Sequence, residues 1–175
     1  MTAAGDVVIR EMLVADLDRV MALEHDVFDT PWTVDLFIHE LKRAERTIYL
    51  VAESGGRVLG YIGAQVLGSE VHVTNMAVDA AERRRGLGSS LLIACLRRGT
   101  ERGARWLTLE VRQNNQEATA FYRLFGFDEI GLRRGYYADS GEDALIKVTG
   151  DITATKYRDL IDGIEATMYG GKGEG

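Results

Sequence analysis

The sequence predicts one α/β domain of the α+β type, with a central mixed, mostly antiparallel seven-stranded sheet flanked by about four helices. Three observations lead there. Glycine-punctuated, β-rich runs in the first half read as antiparallel hairpins. After residue 86 the hydrophobic period changes, and helical stripes alternate with strand-like runs. A length of 175 residues with 46% apolar residues suits a single domain with a sizeable core, not a disordered chain.

Residues 7–14 read as a strand and 16–28 as a helix. Pro31 and Thr33 open a second helix reaching Lys42 or Arg43, because proline is tolerated around a first turn and a threonine hydroxyl can cap its free amides. Strands at 47–53, 58–66 and 71–78 are joined by turns at Gly55-Gly56 and Gly68. In the last of these, Val71 and Val73 face away from Glu70, His72 and Thr74. Gly88, Leu91, Leu92, Cys95 and Leu96 form one helical stripe that Gly103 ends. A strand at 106–111, a helix at 115–124 and strands at 127–132 and 144–148 follow. The order β-α-α-β-β-β-α-β-α-β-β places hairpins first and crossovers later. The domain is drawn at 1–148, with an extension at 149–175. There Tyr157, Leu160, Ile161 and Ile164 can form a short amphipathic helix before a Gly-rich tail expected to be flexible.

Composition removes several function classes. With 21 Lys+Arg against 27 Asp+Glu, the net charge of −6 disfavours a broad nucleic-acid surface, though not a local basic patch. The lone Cys95 excludes an internal disulfide framework and a multi-cysteine zinc site. It lies on the apolar stripe, so it reads as core and not as a nucleophile. His25, His39 and His72 lack metal-ligand spacing, and no metal is expected. No apolar run is long enough to span a membrane, and residues 1–9 lack signal-peptide features, so a soluble, cytoplasmic protein is expected.

The segment Arg83-Arg84-Arg85-Gly86-Leu87-Gly88-Ser89 lies between a strand and a helix. Free helix-start amides, the dipole and three arginines suit an anion, and the glycines let the backbone approach it; a diphosphate is the natural guest. A solvated basic turn is the plainer reading. The segment is neither a nucleotide P-loop nor a dinucleotide fingerprint.

Arg83-x-x-Gly86-x-Gly88 resembles the Arg/Gln-x-x-Gly-x-Gly/Ala signature of the GNAT N-acetyltransferases. The likeness covers roughly residues 7–148. Pro31-Trp32-Thr33, 75–79, 109–112, Asn115 with Ala118, Tyr122, Gly126 and Phe127, 133–137 and 142–144 resemble the ribosomal-protein alanine N-acetyltransferases, the RimI type. The resemblance implies the GNAT fold, acetyl-CoA as co-substrate, and acetylation of a protein N-terminus, alanine on a small-subunit ribosomal protein, with no direct nucleic-acid partner. Oligomeric state is left open. It implies that Met76, Ala77 and Val78 offer backbone groups to the acetyl-pantetheine arm. Arg84, Arg85, Gly86, Leu87, Gly88 and Ser89 would wrap the pyrophosphate. Asn115 would contact the cofactor, Glu110 accept the amine proton, and Tyr122, also at the cofactor, protonate the leaving thiolate. Tyr136 and Tyr137 would border the peptide.

The chemistry is coherent without the family. A protein α-amine with a pKa of roughly 7.7–8.0 must be neutral to attack, and a carboxylate can take its proton. Glu110 carries the only charge in strand 107–111. A phenol such as Tyr122 can protonate a thiolate, and a backbone amide near Val78 can steady the oxyanion. Taken alone, Glu110 also reads as a partly exposed strand carboxylate and Tyr122 as packing. Glu70 and His72 share a face that can line a substrate groove, or serve surface and packing roles. Glu24, Asp26, Asp29, Glu70 and Glu142 could attract a basic peptide, but most read as solvated surface. Lysine or small-amine acetylation and a non-catalytic acyl-CoA-binding module are the alternatives.

Overall fold

The computed structural model describes residues 6–170. Seven strands form one sheet in the order β1-β2-β3-β4-β5-β7-β6. They are β1 (Val8–Glu11), β2 (Thr47–Ser54), β3 (Arg57–Leu67), β4 (Glu70–Val78), β5 (Trp106–Arg112), β6 (Phe127–Tyr137) and β7 (Glu142–Thr149). The helices are α1 (Leu17–Val27), α2 (Val34–Leu41), α3 (Leu87–Glu101), α4 (Gln116–Leu124) and α5 (Thr155–Gly170). Thr33 caps α2, its hydroxyl accepting the Leu36 amide at 3.3 Å. Four of the five helices lie within the domain as drawn from the sequence, and α5 is the helix expected in the extension, longer than expected. None among the described residues is long and apolar enough to cross a membrane.

Two cores cover the two faces of the sheet. On one, Leu91, Leu92, Cys95 and Leu96 of α3 meet Val71, Val73, Leu107, Leu109 and Phe125. On the other, Leu17, Val20 and Leu23 of α1 and Phe37 of α2 meet Val51, Val58, Tyr61 and Ala77. Both sets contain β4 residues of odd number, which a regular strand cannot allow.

The cause is a bulge. Ala64 pairs with Val73 and Gly63 with Asn75, so Thr74 is an extra residue on β4. Before it, odd residues face α3 and His72 faces the α1–α2 side. After it, Ala77 faces α1 while Met76 and Val78 pack with the α3 core. Gly63 is required there, because a Cβ would strike the Tyr49 ring and lie 2.5 Å from Asn75 Oδ1.

A second irregularity lies beside it. Among the described residues β4 and β5 are the only parallel neighbours, and they pair as Glu70↔Trp106, Val71↔Leu107 and His72↔Thr108. Beyond His72 the two strands carry no mutual ladder. The sheet is therefore open at its centre, and the bulge turns side chains toward both sides of the opening.

The C-terminal segment, expected to supply one short helix, forms sixteen residues of α5. Ile152, Tyr157 and Ile161 join the α3-side core. The Tyr157 hydroxyl donates to the Phe125 carbonyl at 2.8 Å, and Arg97 of α3 holds Glu165 by two hydrogen bonds, at 3.0 and 2.5 Å. Residues 171–175, where the flexible tail was expected, lie outside the described residues.

Candidate active site

The loop from β4 to α3 is shaped by its backbone. Arg84 (φ 63°) and Gly86 (φ 79°) both adopt left-handed conformations. Gly86 is the N-cap of α3 and supplies no side-chain acceptor. The Ser90 amide closes the first turn onto the Gly86 carbonyl at 2.9 Å, leaving the amides of Leu87, Gly88 and Ser89 without helical partners. Arg85 pairs with Glu82. Arg83 and Arg84 are exposed and form no ion pair among the described residues. Gly88 faces α4 and β4; a Cβ there would lie 3.7 Å from the Phe121 ring and 3.9 Å from Met76 Cε. An anion placed on this turn would meet unpaired amides, the helix dipole and two uncommitted guanidinium groups.

Across the opening, on the α1–α2 side, lies a polar chain. His72 Nε2 sits 3.0 Å from Glu110 Oε2, and His72 Nδ1 sits 2.8 Å from Thr108 Oγ1. Thr108 Oγ1 donates to Glu70 Oε1 at 2.5 Å. When Thr108 donates to Glu70 its oxygen accepts from Nδ1, and a protonated ring then donates from both nitrogens, to Thr108 and to Glu110. Arg133 Nε lies 3.8 Å from Glu110 Oε1. The hydrogen bond from His72 is the main cause that holds Glu110 below the usual carboxylate range, against burial. The same bond raises His72, opposed by burial and by Arg133.

Tyr122 projects from α4, its ring 5.2 Å from Phe121 and 5.4 Å from Phe127. Burial raises its phenol, which therefore stays protonated. Asn115 caps α4, accepting the Ala118 amide on Oδ1 at 3.0 Å and keeping its NH₂ group available.

Residues 17–127 match the sequence profile described as Acetyltransferase (GNAT) family. The chain belongs to this family. An N-alpha-acetyltransferase RimI of Mycobacterium tuberculosis is 41% identical over 136 residues, which is 74% of this chain and 84% of the relative. A Bacillus subtilis protein provisionally assigned as a ribosomal protein bS18-alanine N-acetyltransferase is 39% identical, over 79% of this chain and 91% of its own length. The crystal structure of the ribosomal-protein-S18-alanine N-acetyltransferase from Escherichia coli superposes with a TM-score of 0.76 at 31% identity, covering 83% of this chain and 94% of that one. These relatives place the acetyltransferase in the RimI type.

Within this GNAT acetyltransferase, Glu110, His72 and Glu70 come together in one hydrogen-bonded chain. Thr108 and Arg133 belong to the same cluster, and residue-by-residue reasoning did not assign them. The alternation of 106–112 already put Thr108 and Glu110 on one face; their meeting with His72 depends on the parallel β4–β5 register, which no local pattern encodes. Tyr137 is less free than expected, because the Arg112 guanidinium lies 4.0 Å from its ring centre. Tyr136 is 46% exposed. Two of the acidic residues read as solvated surface are committed elsewhere. Glu142 accepts the Asn114 amide at 2.9 Å and contacts Arg112, while Glu24 is 1% exposed. Cys95 is fully buried, as expected, and burial pushes its thiol up to about 12.

Proposed function

We propose that the chain transfers the acetyl group of acetyl-CoA to the N-terminal α-amine of a protein, alanine on a small-subunit ribosomal protein being the substrate its relatives suggest. The observation that carries this reading is the polar pair His72–Glu110, set on the α1–α2 side of the sheet opening, opposite the uncapped amides of 87–89. Acetyl-CoA fits this frame: the left-handed turn at Gly86, the unpaired amides and Arg84 suit its pyrophosphate, with Arg83 nearby. Met76 and Val78 line the α3 side of the opening, where their strand has backbone groups to spare for the acetyl-pantetheine arm.

The peptide amine approaches from the α1–α2 side, bordered by Tyr136 and Tyr137. Glu110 takes a proton from the ammonium group and passes it to solvent, the freed nitrogen attacks the thioester carbon, and as the C–S bond breaks the nitrogen sheds its second proton, which returns through solvent to the Tyr122 phenolate. Tyr122 supplies the proton that the leaving sulfur needs, and a backbone amide near Val78 steadies the oxyanion. Charge on His72 weakens Glu110 as a base, so the competent form of the pair has a neutral ring.

The amine's own pKa, set against a carboxylate base, favours an α-amine over a lysine. At pH 7.5 roughly a third of an α-amine of pKa ~7.8 is already neutral, against about 0.1% of a lysine of pKa ~10.4. A weak base suffices for the first and not for the second. In a purified-enzyme assay, Glu110→Gln should lose ~10²–10⁴-fold of turnover while acetyl-CoA affinity, measured by calorimetry, changes little. Wild-type turnover in that variant would remove Glu110 from the base role.

A further inference from the structure

Among the buried ionisable side chains the mechanism leaves unused, one gathers donors from several elements. Glu24 of α1 is 1% exposed, yet three donors from three different segments converge on it. Its Oε1 accepts from the Tyr61 hydroxyl of β3 and from Asn75 Nδ2 of β4, the latter at 3.0 Å. Its Oε2 accepts the backbone amide of Trp32, in the loop between α1 and α2, at 2.9 Å. The Trp32 amide and the Asn75 NH₂ can only donate, so each oxygen of the Glu24 carboxyl group must accept.

The two ends of this arrangement lie where the two substrates meet. Asn75 is the first residue after the extra residue of the bulge, and its Oδ1 accepts from the Thr74 hydroxyl at 2.9 Å. That hydroxyl lies also 3.1 Å from the Gly63 carbonyl, so the side chains of Thr74 and Asn75 fasten the bulge to β3. The strand then continues into Met76–Val78. At the other end, Trp32 packs its ring 5.5 Å from Phe37 and fixes the path of residues 28–33 on the peptide-facing side.

We infer that Glu24 is a positioning residue that holds the α1–α2 loop and the β4 bulge in one fixed relation. It touches no reacting atom. It sets the wall beside the peptide relative to the strand beside the acetyl group, and so aligns amine and thioester. This rests on the acetyl-transfer reading above.

Glu24→Gln tests it with little change of volume. A glutamine brings an NH₂ group against either the Trp32 amide or the Tyr61–Asn75 pair, so one side of the junction must let go. Two measurements follow. In hydrogen exchange, residues 28–33 and 74–78 should both exchange at least tenfold faster in the variant, with α3 unchanged; this readout does not depend on activity. In steady state, the peptide KM should rise about tenfold and kcat fall, while the acetyl-CoA Kd changes less than the peptide KM because the Gly86–Ser89 turn is untouched. Faster exchange in only one segment, or a lowered melting temperature with unchanged KM and kcat, would overturn the positioning role. Absence of turnover on every free-amine peptide by the wild-type enzyme would sink the acetyl-transfer reading, and the exchange result would still decide the junction. Should Glu24→Gln not fold, Tyr61→Phe removes one donor only and must show the same paired exchange pattern, in weaker form; an unchanged pattern there would also overturn it.

Discussion

Replacing His72 by glutamine keeps a donor within reach of Glu110 and removes the ring's charge. Two unit charges about 4 Å apart attract by roughly 4 kcal/mol at an effective dielectric of ~20, which is an upper bound. Desolvation opposes it on both partners, whose side chains are 23% and 10% exposed. A net ~1–2 kcal/mol is the expected scale for one hydrogen bond between charged groups. The sign fixes the pH window. His72 is raised above 6.5, so its stabilisation is complete below that value and lost as pH climbs through the folded pKa. Glu110 is lowered from 4.5, so its share is present above that value and lost as pH falls through the folded pKa. The pair therefore stabilises most between about pH 4.5 and 6.5. At 2–4 °C per kcal/mol for a domain of this size, His72→Gln should lower Tm by ~2–8 °C at pH 5.5 and clearly less at pH 8.5. Scanning calorimetry at the two pH values measures this directly, since lost packing contributes equally to both. An equal Tm loss at both, or a greater one at pH 8.5, would refute the charged pair.

Three further outcomes follow from the geometry. Tyr122→Phe should slow turnover by ~10²–10⁴-fold. Its Tm and acetyl-CoA affinity should hardly move, because the hydroxyl forms no hydrogen bond among the described residues; a fully active variant would discard the acid role. Gly88→Ala adds a methyl at ordinary contact distances of 3.7 and 3.9 Å, and alanine suits a helix better by ~1 kcal/mol. Because the signature accepts alanine here and the methyl points at Phe121 and Met76, the variant should fold with undiminished Tm and bind acetyl-CoA within about threefold of wild type in calorimetry; a tenfold loss would contradict this placement of the Gly88 Cα. Cys95, buried with its thiol raised to about 12, should resist a disulfide reagent in the native enzyme and react fully in guanidinium. Rapid native reaction would mean that α3 opens far more easily than its packing implies.

Much of this molecule was legible in the sequence, and the gaps have physical causes. The glycine turns, the α3 stripe through Cys95 and the Thr33 cap are local signals, and each is found where its pattern lies. The glycine turn ahead of α3 was also local, since Gly86 adopts the left-handed conformation that glycine favours. β6 runs to Tyr137, beyond the expected end at Leu132, because its exposed residues show no alternation and only pairing with β7 defines it. α5 runs on past the expected stripe of Tyr157, Ile161 and Ile164 because Met168 packs on the same core and Arg97 of α3 holds Glu165. The bulge at Thr74 was invisible because a β4 written without it has the same alternation; the phase change shows only in which core each side chain joins. Glu24 was misread for a related reason. A glutamate on an amphipathic helix normally reads as solvated, and its three donors lie on other segments.

The central claim is that the pair at Glu110 serves a free α-amine. The direct measurement is thiol release from acetyl-CoA with two basic hexapeptides, one with a free N-terminal alanine, the other with a blocked N-terminus and an internal lysine. The account predicts turnover of the first alone, with mass spectrometry placing the acetyl group on the alanine nitrogen. Turnover of the blocked peptide alone would contradict the substrate assignment while leaving the fold and the acetyl-CoA turn in place.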